Sequence, residues 1–361
     1  MFIVPHRPLR ALLAALLTVT TLGAALPGRA EAPCAGSFCW NVRGNYAGLE
    51  FTSLLSPPGN PCVVAWTALS NGGLGVSTDC GAQFANLFQV SAYDVTARDS
   101  NIGYVAAGTL GMAKTKDTGS FWFGINDGLP PFPDARAVIL HVAHPESAFC
   151  ALRGGGVFIA GPKAGGGTDS LMQWTAINEG LSDLNVRALA RVRGGTFMIA
   201  ACDGGIWRRG NNVWSLAAPG VVANAVVIDA ADSSRVYAAT ENGVYRSLNF
   251  GLSWIPSSSG LPPGTPINDI ARRTEGPNVL YIGTRGQGVW QSADFGANWA
   301  PFGPALPGDN DVRAVLCAVG ANQPDSASVF AGTRANGLFV SGYSTPAKPA
   351  TWGQLKDLYR R

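Results

Sequence analysis

Two stretches, NGVYRSLNFGLSW (242–254) and QGVWQSADFGANW (287–299), are nearly the same and decide the fold. In each, a Gly precedes a short apolar run, and a Trp follows seven residues after a Ser. Short runs of this kind, bounded by Gly and Asn or Asp, are typical of antiparallel strands joined by tight turns. The two stretches therefore predict a repeated β-hairpin.

The same Gly-led run occurs in seven units along the chain. The leading glycines are Gly73, Gly111, Gly156, Gly205, Gly243, Gly288 and Gly337, and consecutive ones lie 38 to 49 residues apart. In each unit, two strand-like runs precede the Gly, and the Gly-led run is the third. A Trp opens the fourth run. A period of forty to fifty residues with four strands per unit is typical of propeller blades. The sequence predicts an all-β, seven-bladed β-propeller of four-stranded blades.

The propeller is expected to be a single domain spanning residues 41–361. Residues from about 41 to 67 are expected to supply the early strands of the first blade. ATWGQL (350–355) is expected to complete the last blade. Seven blades can close into a ring that leaves no long sheet edge exposed.

Four hairpins share a Ser or Thr, then Asp or Asn at +2, Gly at +4 and an aromatic residue at +7. They are SLNFGLSW, SADFGANW, TKDTGSFW and STDCGAQF. The pattern resembles the Asp-box, or BNR repeat. A short Asp or Asn accepts hydrogen bonds from turn amides, and Gly permits a positive φ. In Asp-box families these turns lie away from the ligand site, so the resemblance implies that they serve stability.

The chain also resembles exported BNR-like repeat proteins related to the photosystem II stability and assembly factor. More distantly, it is similar to the propellers of sortilin-type receptors and xyloglucanase-type glycoside hydrolases. The units led by Gly156, Gly205 and Gly337 depart from the Asp-box pattern. The resemblance implies a fold more strongly than a function, because one fold hosts many activities.

Residues 1–30 have the pattern of a secretory signal peptide, with a basic start, an apolar run and small residues before a cleavage site after Ala30 or Ala32. A short N-terminal segment, residues 31–40, is expected to follow. No later segment has the roughly 18 to 20 apolar residues of a membrane span. The protein is therefore expected to be exported, either periplasmic or extracellular.

Charge and composition narrow the choice of partners. The whole chain has 26 basic and 23 acidic residues, and three of the arginines lie in the leader, which leaves 23 of each sign after cleavage at Ala30. A nucleic-acid binder should carry a basic excess, so that partner is not expected. A monomer is expected.

Seven cysteines follow the leader. Two disulfides are predicted, Cys34 with Cys39 and Cys62 with Cys80, although other connectivities remain open. Three more cysteines, Cys150, Cys202 and Cys317, lie in apolar strands and are expected to be buried thiols.

Metal and cofactor signals are weak. His141 and His144 lie in a strand, where side chains three apart point to opposite faces, so no metal site is predicted. No cofactor is predicted either, because no phosphate-binding glycine loop occurs.

Aligning the first strands of the units places polar residues in equivalent positions. These are Tyr93, Arg136, Arg187, Asn224, Asn268 and Arg313. Neighbouring turns add Arg153, Asp203, Glu241, Arg285 and Arg334. They are expected to surround the end of the channel opposite the Asp-boxes. Because guanidinium groups bind carboxylates bidentately, the expected ligand is a protein or an acidic peptide or glycan. Lining of a water-filled channel is the other interpretation.

Two functions remain open at this point. The first is an exported, non-catalytic binding or assembly factor that engages its ligand on the polar face. The alternative is a secreted glycan-active enzyme of the Asp-box propeller type, which requires two carboxyl groups about 5 to 10 Å apart. Only Asp94, Asp134, Asp269 and Asp311 lie near the heads of first strands. Nothing in the sequence marks a pair among them, so no catalytic residue is assigned.

Overall fold

The protein is seen in a computed structural model. Its described residues are 38–43, 46, 48–56, 64–68, 73–77, 85–88, 91–98, 102–117, 119–141, 147–162, 172–191, 195–273, 279–308, 310–319 and 327–343. Residues 33–361 form one compact unit. The predicted leader lies outside the described residues. No helix in the described part of the chain has the length and hydropathy of a membrane span.

The described regular structure consists of β-strands. The first half of the chain forms β1 (Phe38–Arg43), β2 (Phe51–Leu55), β3 (Val64–Ala68), β4 (Gly73–Ser77), β5 (Ala85–Phe88), β6 (Asp94–Ala97), β7 (Gly103–Ala106), β8 (Met112–Thr115), β9 (Trp122–Gly124), β10 (Ala135–Leu140), β11 (Ala148–Leu152), β12 (Gly156–Pro162) and β13 (Met172–Ala176). The second half forms β14 (Val186–Ala190), β15 (Phe197–Cys202), β16 (Gly205–Gly210), β17 (Val213–Pro219), β18 (Ala223–Ile228), β19 (Val236–Thr240), β20 (Gly243–Ser247), β21 (Ile255–Pro256), β22 (Ile267–Arg272), β23 (Leu280–Thr284), β24 (Val289–Ser292), β25 (Ala300–Pro301), β26 (Val312–Val319), β27 (Ala327–Thr333) and β28 (Leu338–Tyr343).

Six blades are each built from four consecutive, antiparallel strands. In chain order they are blade 1 (β2–β5), blade 2 (β6–β9), blade 3 (β10–β13), blade 4 (β14–β17), blade 5 (β18–β21) and blade 6 (β22–β25). The first strand of each blade lies innermost. The protein is thus an all-β propeller with four-stranded blades.

The prediction of seven blades, each formed by one consecutive repeat, is wrong. Only the six blades above have this form, and the remaining described strands make a sheet of different origin, in the order β1, β28, β27, β26. We call it the closing sheet. Its outer strand comes from the other end of the chain and pairs antiparallel with β28, with Trp40 opposite Ser341. ATWGQL (350–355), expected in this place, lies outside the described residues.

The hydrophobic core lies between neighbouring sheets. Middle strands such as β19 and β23 are buried along their whole length because sheets cover both of their faces. A cluster joins blade 5 to blade 6 through Tyr237 and Trp290. Another joins the closing sheet to blade 1, where Phe51 packs with Phe330 and Leu338. The ring is therefore closed by packing.

In blades 3, 4 and 6 and in the closing sheet, a tryptophan in or next to the outer strand donates a hydrogen bond to the preceding sheet. The indole N–H of Trp299 donates to the Ser257 carbonyl at 2.8 Å, and that of Trp214 donates to the Ile177 carbonyl at 2.7 Å. In the closing sheet, Trp40 of β1 donates to the Pro304 carbonyl at 3.1 Å. β1 therefore supplies the buried tryptophan that other blades take from their own repeat.

Three of the S/T-x-D/N-x-G-x-x-W turns have the same hydrogen bonds. Asp294 Oδ1 accepts from the Ser292 hydroxyl at 2.8 Å and from the Asn298 amide at 2.9 Å. Gly296, at φ +75°, donates its amide to the Ser292 hydroxyl at 2.9 Å. The turns at 247–254 and 115–122 repeat these bonds. The predicted acceptance of turn amides is confirmed here, and the turn at 77–84 lies mostly outside the described residues.

The burial of these tryptophans predicts unequal costs of removal. Trp299 is 4% exposed and hydrogen-bonded, whereas Trp254 is half-buried and its indole N–H has no partner in the described structure. Trp299→Ala is expected to lower the free energy of unfolding by about 3 to 5 kcal/mol, the usual cost of emptying a large aromatic site. Trp254→Ala should cost clearly less. Urea denaturation measures both, and equal losses would contradict the assignment.

The Gly of the Gly-Leu turns permits a close approach to these tryptophans. A Cβ on Gly260 would lie 2.1 Å from the Trp299 carbonyl oxygen, whereas a Cβ on Gly264 would meet nothing within 4 Å. Both glycines have positive φ, +90° and +71°, so replacement by Ala strains both backbones similarly.

Gly260→Ala is therefore expected to destabilise the protein by about 1 to 3 kcal/mol more than Gly264→Ala, the usual cost of overpacking. The two variants form a matched pair, and thermal melts with chemical denaturation measure the difference. Unfolding of both variants at the same denaturant concentration would show that Gly260 is not closely packed against Trp299.

Candidate functional site

A β-bulge places the predicted polar residues at one end of the channel. In five blades and the closing sheet, the first strand begins with a fully buried residue, and the next residue has no cross-strand partner. These bulged residues are Thr52, Arg136, Arg187, Asn224, Asn268 and Arg313. A bulge bends the strand and turns its side chain away from the sheet. Tyr93 precedes β6 at the corresponding place in blade 2.

These side chains line one cavity of about 380 Å³. Its lining is Glu50, Phe51, Thr52, Tyr93, Arg136, Arg153, Asn185, Val186, Arg187, Asp203, Asn224, Glu241, Asn268, Arg285 and Arg313. All the predicted ring residues are present except Arg334, which lies outside the lining with a 62% exposed side chain. The S/T-x-D/N-x-G-x-x-W turns follow third strands and lie at the opposite ends of the sheets.

Thr52 and Glu50 are two residues of the lining that were not predicted. Thr52 follows buried Phe51 just as Arg313 follows buried Val312, so the apolar–polar pair FT was a usable signal. Thr52 donates its hydroxyl to the Ala92 carbonyl at 2.8 Å and links blade 1 to blade 2. Glu50 had no signal of its own, because it precedes the strand.

A chain of polar contacts runs across blades 4, 5 and 6. Arg187 donates through Nε to Asp203 and through Nη1 to Asn224 Oδ1 at 2.8 Å. Glu241 accepts from Asn224 at 3.0 Å and binds Arg285 through two hydrogen bonds of 3.1 Å. Each charge on this arc therefore has an opposite charge beside it.

The rest of the ring is paired in the same way. Arg313 donates to Asp311 Oδ2 at 3.0 Å and lies 3.6 Å from Glu50 Oε1. Arg136 donates to Asp134 at 2.6 Å, and its guanidinium lies over the Tyr93 ring, 3.9 Å from the centroid. Asp134 and Asp311 therefore offset the charges of these two arginines.

Two arginines near the cavity are less closely paired with carboxylates than the others. Arg153 is exposed, and the described residues offer it no ion pair. Arg334 reaches only to 4.0 Å from Asp311 Oδ2, a carboxylate already bound to Arg313. These two side chains hold the positive charge that an acidic ligand would find free.

Two of the four candidate carboxyl groups bridge neighbouring inner strands. Asp94 accepts from the Ser53 hydroxyl at 2.8 Å and from the Val138 amide of blade 3 at 2.9 Å. Asp269 accepts from the Val315 amide of the closing sheet at 2.8 Å. Burial raises the pKa of both carboxyl groups to about 6, although these hydrogen bonds act in the opposite direction. Both carboxyl groups therefore join sheets, and neither is part of the cavity lining.

Some of the cysteines and histidines singled out in the sequence lie among the described residues, and others do not. Cys150, Cys202 and Cys317 are buried free cysteines as predicted, and burial raises the pKa of Cys317 to about 11. The predicted disulfides fall on Cys34, Cys62 and Cys80, which lie outside the described residues, and on Cys39 of β1. His144 is also outside the described residues. No cluster of potential metal ligands occurs among those described.

Solved structures share this fold at low sequence identity. YCF48 from Cyanidioschyzon merolae is 15% identical, with a TM-score of 0.58 over 84% of this chain and 98% of that one. YCF48 bound to D1 peptide is 17% identical, with a TM-score of 0.61 over 87% and 100%. The extracellular domain of a one-component system from B. thetaiotaomicron is 12% identical, with a TM-score of 0.63 over 85% and 40%.

No family model and no curated protein matches the sequence. At these identities the likeness shows the fold, and it defines the class of protein as a β-propeller with four-stranded blades.

The bridging carboxyl groups predict a pH dependence of stability. Because folding raises their pKa from 3.8 to about 6, the folded state holds these protons more tightly than the unfolded chain does. Their contribution is complete below pH 4 and is lost as the pH rises through 6. The stability of the native protein relative to an Asp94→Asn/Asp269→Asn variant should therefore fall between pH 4 and pH 7.

Urea denaturation at several pH values measures this difference. Asp294→Asn is the matched control, because hydrogen bonds from Asn298 lower the pKa of Asp294 to about 2, outside this pH range. A flat or rising difference for the double variant would show that the two carboxyl groups are not desolvated as described.

Proposed function

We propose that this protein is an exported binding or assembly factor that holds an acidic segment of a protein partner at the arginine-lined cavity. The observation that carries the proposal is a cavity of about 380 Å³ with five arginines in its lining, one of which, Arg153, has no carboxylate partner among the described residues. Guanidinium groups favour carboxylates through bidentate, charge-assisted hydrogen bonds.

A structural neighbour supports a protein ligand. One solved structure with this fold, YCF48, is bound to D1 peptide. We infer that the present chain also uses its propeller to hold a polypeptide. The leader supports export, and the three hydrogen-bonded turns support membership of the Asp-box group of propellers, with a monomer as the working state.

The glycan-active alternative has less support. The carboxylates of the lining, Glu50, Asp203 and Glu241, each lie beside an arginine. Burial alone would raise the pKa of Glu241, but hydrogen bonds from Asn224 and Arg285 outweigh it and lower the pKa. A general acid needs the opposite shift. Ion-paired carboxylates of this kind suit ligand positioning.

Substitution of Arg153 and Arg334, the two arginines least paired with carboxylates, tests the proposal. The probe is an eight-residue peptide of alternating Glu and Ser, with its Gln counterpart as the neutral control. An Arg153→Gln/Arg334→Gln variant is expected to bind the Glu peptide about 100- to 10,000-fold more weakly, because charge-assisted hydrogen bonds contribute about 1.5 to 3 kcal/mol each and two arginines are replaced. Added salt should weaken binding to the native protein.

Calorimetric titration measures affinity, and a thermal melt verifies the fold. As a control, Lys116→Gln removes one positive charge at the opposite end of blade 2. It should leave binding unchanged. Equal binding by the double variant and the native protein would place the peptide outside the cavity. Equal binding of the Glu and Gln peptides would show that carboxylates are not what the site recognises.

A further inference from the structure

A second cavity, of about 250 Å³, lies between blades 3 and 4. It contains Arg191, which directly follows β14, whereas Arg187 of the first cavity lies near the start of that strand. The two cavities are therefore at opposite ends of the sheets. We call the second one the blade 3–4 pocket.

The pocket exists where the repeat departs from its pattern. Four residues after the leading Gly, the third strand elsewhere carries a small buried residue. These are Ser77, Thr115, Ala160, Ser247, Ser292 and Ser341. In β16 the same register position, opposite Met198, is Arg209. Because Arg is too long to be buried there as a serine is, its side chain extends into the pocket.

A short turn takes the place of the usual one beside Arg209. Asn211 and Asn212 have φ of +52° and +67°, as in a two-residue type I′ hairpin turn. The Asp or Asn that accepts turn amides in other blades has no counterpart in this short connection. Arg209 donates instead to Asn212 Oδ1 at 3.1 Å.

The two arginines of the pocket have no carboxylate partner in the described structure. Arg191 donates to the Gly195 carbonyl at 3.0 Å, and the Nε of Arg209 has no acceptor. Burial lowers the pKa of both arginines, and Arg191 lowers that of Arg209 further. Glu179 forms no ion pair with Arg209 and only raises its pKa by longer-range electrostatic attraction. Two desolvated cations side by side favour an anion.

One part of the pocket wall is apolar, and the rest is polar. Phe149, Ile159, Ile177 and Met198 contribute to the lining. The Arg191 guanidinium lies over the Phe149 ring, 5.3 Å from its centroid, so the aromatic ring adjoins the cationic part. A bare inorganic anion would leave these walls facing water. An apolar group attached to the anion would cover them, and the volume limits that group to a few carbon atoms.

We propose that the blade 3–4 pocket binds a small organic carboxylate with an apolar body, such as a branched aliphatic acid. The carboxylate lies between Arg191 and Arg209 and accepts hydrogen bonds from their guanidinium groups. The apolar body packs against Phe149 and Ile159. This site is independent of the arginine-lined cavity and of the function proposed for it.

Methyl chemical shifts of the full-length mature protein test the site with 4-methylpentanoate as probe. The methyl signals of Ile159, Ile177 and Met198 are expected to shift saturably. 4-Methylpentanamide, which has the same shape without the charge, should bind at least 10-fold more weakly, and so should inorganic phosphate. Phosphate binding as tight as that of the acid would overturn the apolar part of the proposal, and equal binding of the amide would overturn the anionic part.

Substitution of the arginines gives a second test. Arg191→Gln and Arg209→Gln are each expected to weaken binding of 4-methylpentanoate at least 10-fold. Arg246→Gln, a half-buried arginine in the third strand of blade 5, is the matched control and should bind as the native protein does. Unchanged affinity in both pocket variants would overturn the proposal. If a variant fails to fold, the comparison of acid, amide and phosphate on the native protein still decides.

Discussion

The packing of the closing sheet between blade 6 and blade 1 closes the ring, and the other sheets rely on it for their own coverage. Every sheet of a propeller needs a neighbour on each face, because its middle strands are apolar on both sides. A ring left open would expose two apolar sheet faces together. Here strands from the two ends of the described chain form one sheet, and Trp40 fastens that sheet to the Pro304 carbonyl. Closure of the ring thus brings together strands that lie at opposite ends of the described chain.

The repeat also generates the arginine-lined cavity. A bulge at the same position of successive inner strands turns one side chain per sheet toward the channel axis, so residues about forty positions apart meet. Their charges alternate: Arg187 meets Asp203, Arg285 meets Glu241, and Arg313 meets Asp311. Because each of these arginines has a carboxylate beside it, they can lie together in one small cavity without strong mutual repulsion. The positive charge that is not offset in this way lies at the cavity margin.

Departures from the repeat carry as much information as the repeat. At the turn-bearing ends of the sheets, a small hydroxyl in the third strand and a following Asp or Asn hold the hairpin by local hydrogen bonds. Blade 4 lacks both, and Arg209 stands where Ser247 stands in blade 5. The long side chain of Arg209 at this position and the short turn that follows it give the blade 3–4 pocket its cationic part.

Short-range sequence patterns specify the local structure: the hairpins, the four-strand order of the blades and the polar position after the first buried residue of each inner strand. These follow from short-range patterns, so Arg136, Arg187 and Arg313 could be predicted to meet. Long-range packing determines that β1 completes the closing sheet, that four of the five arginines in the cavity lining have acidic neighbours, and that Asp94 and Asp269 join adjacent sheets. Such contacts join residues tens to hundreds of positions apart, and no local periodicity encodes which distant backbone amide a carboxylate will meet.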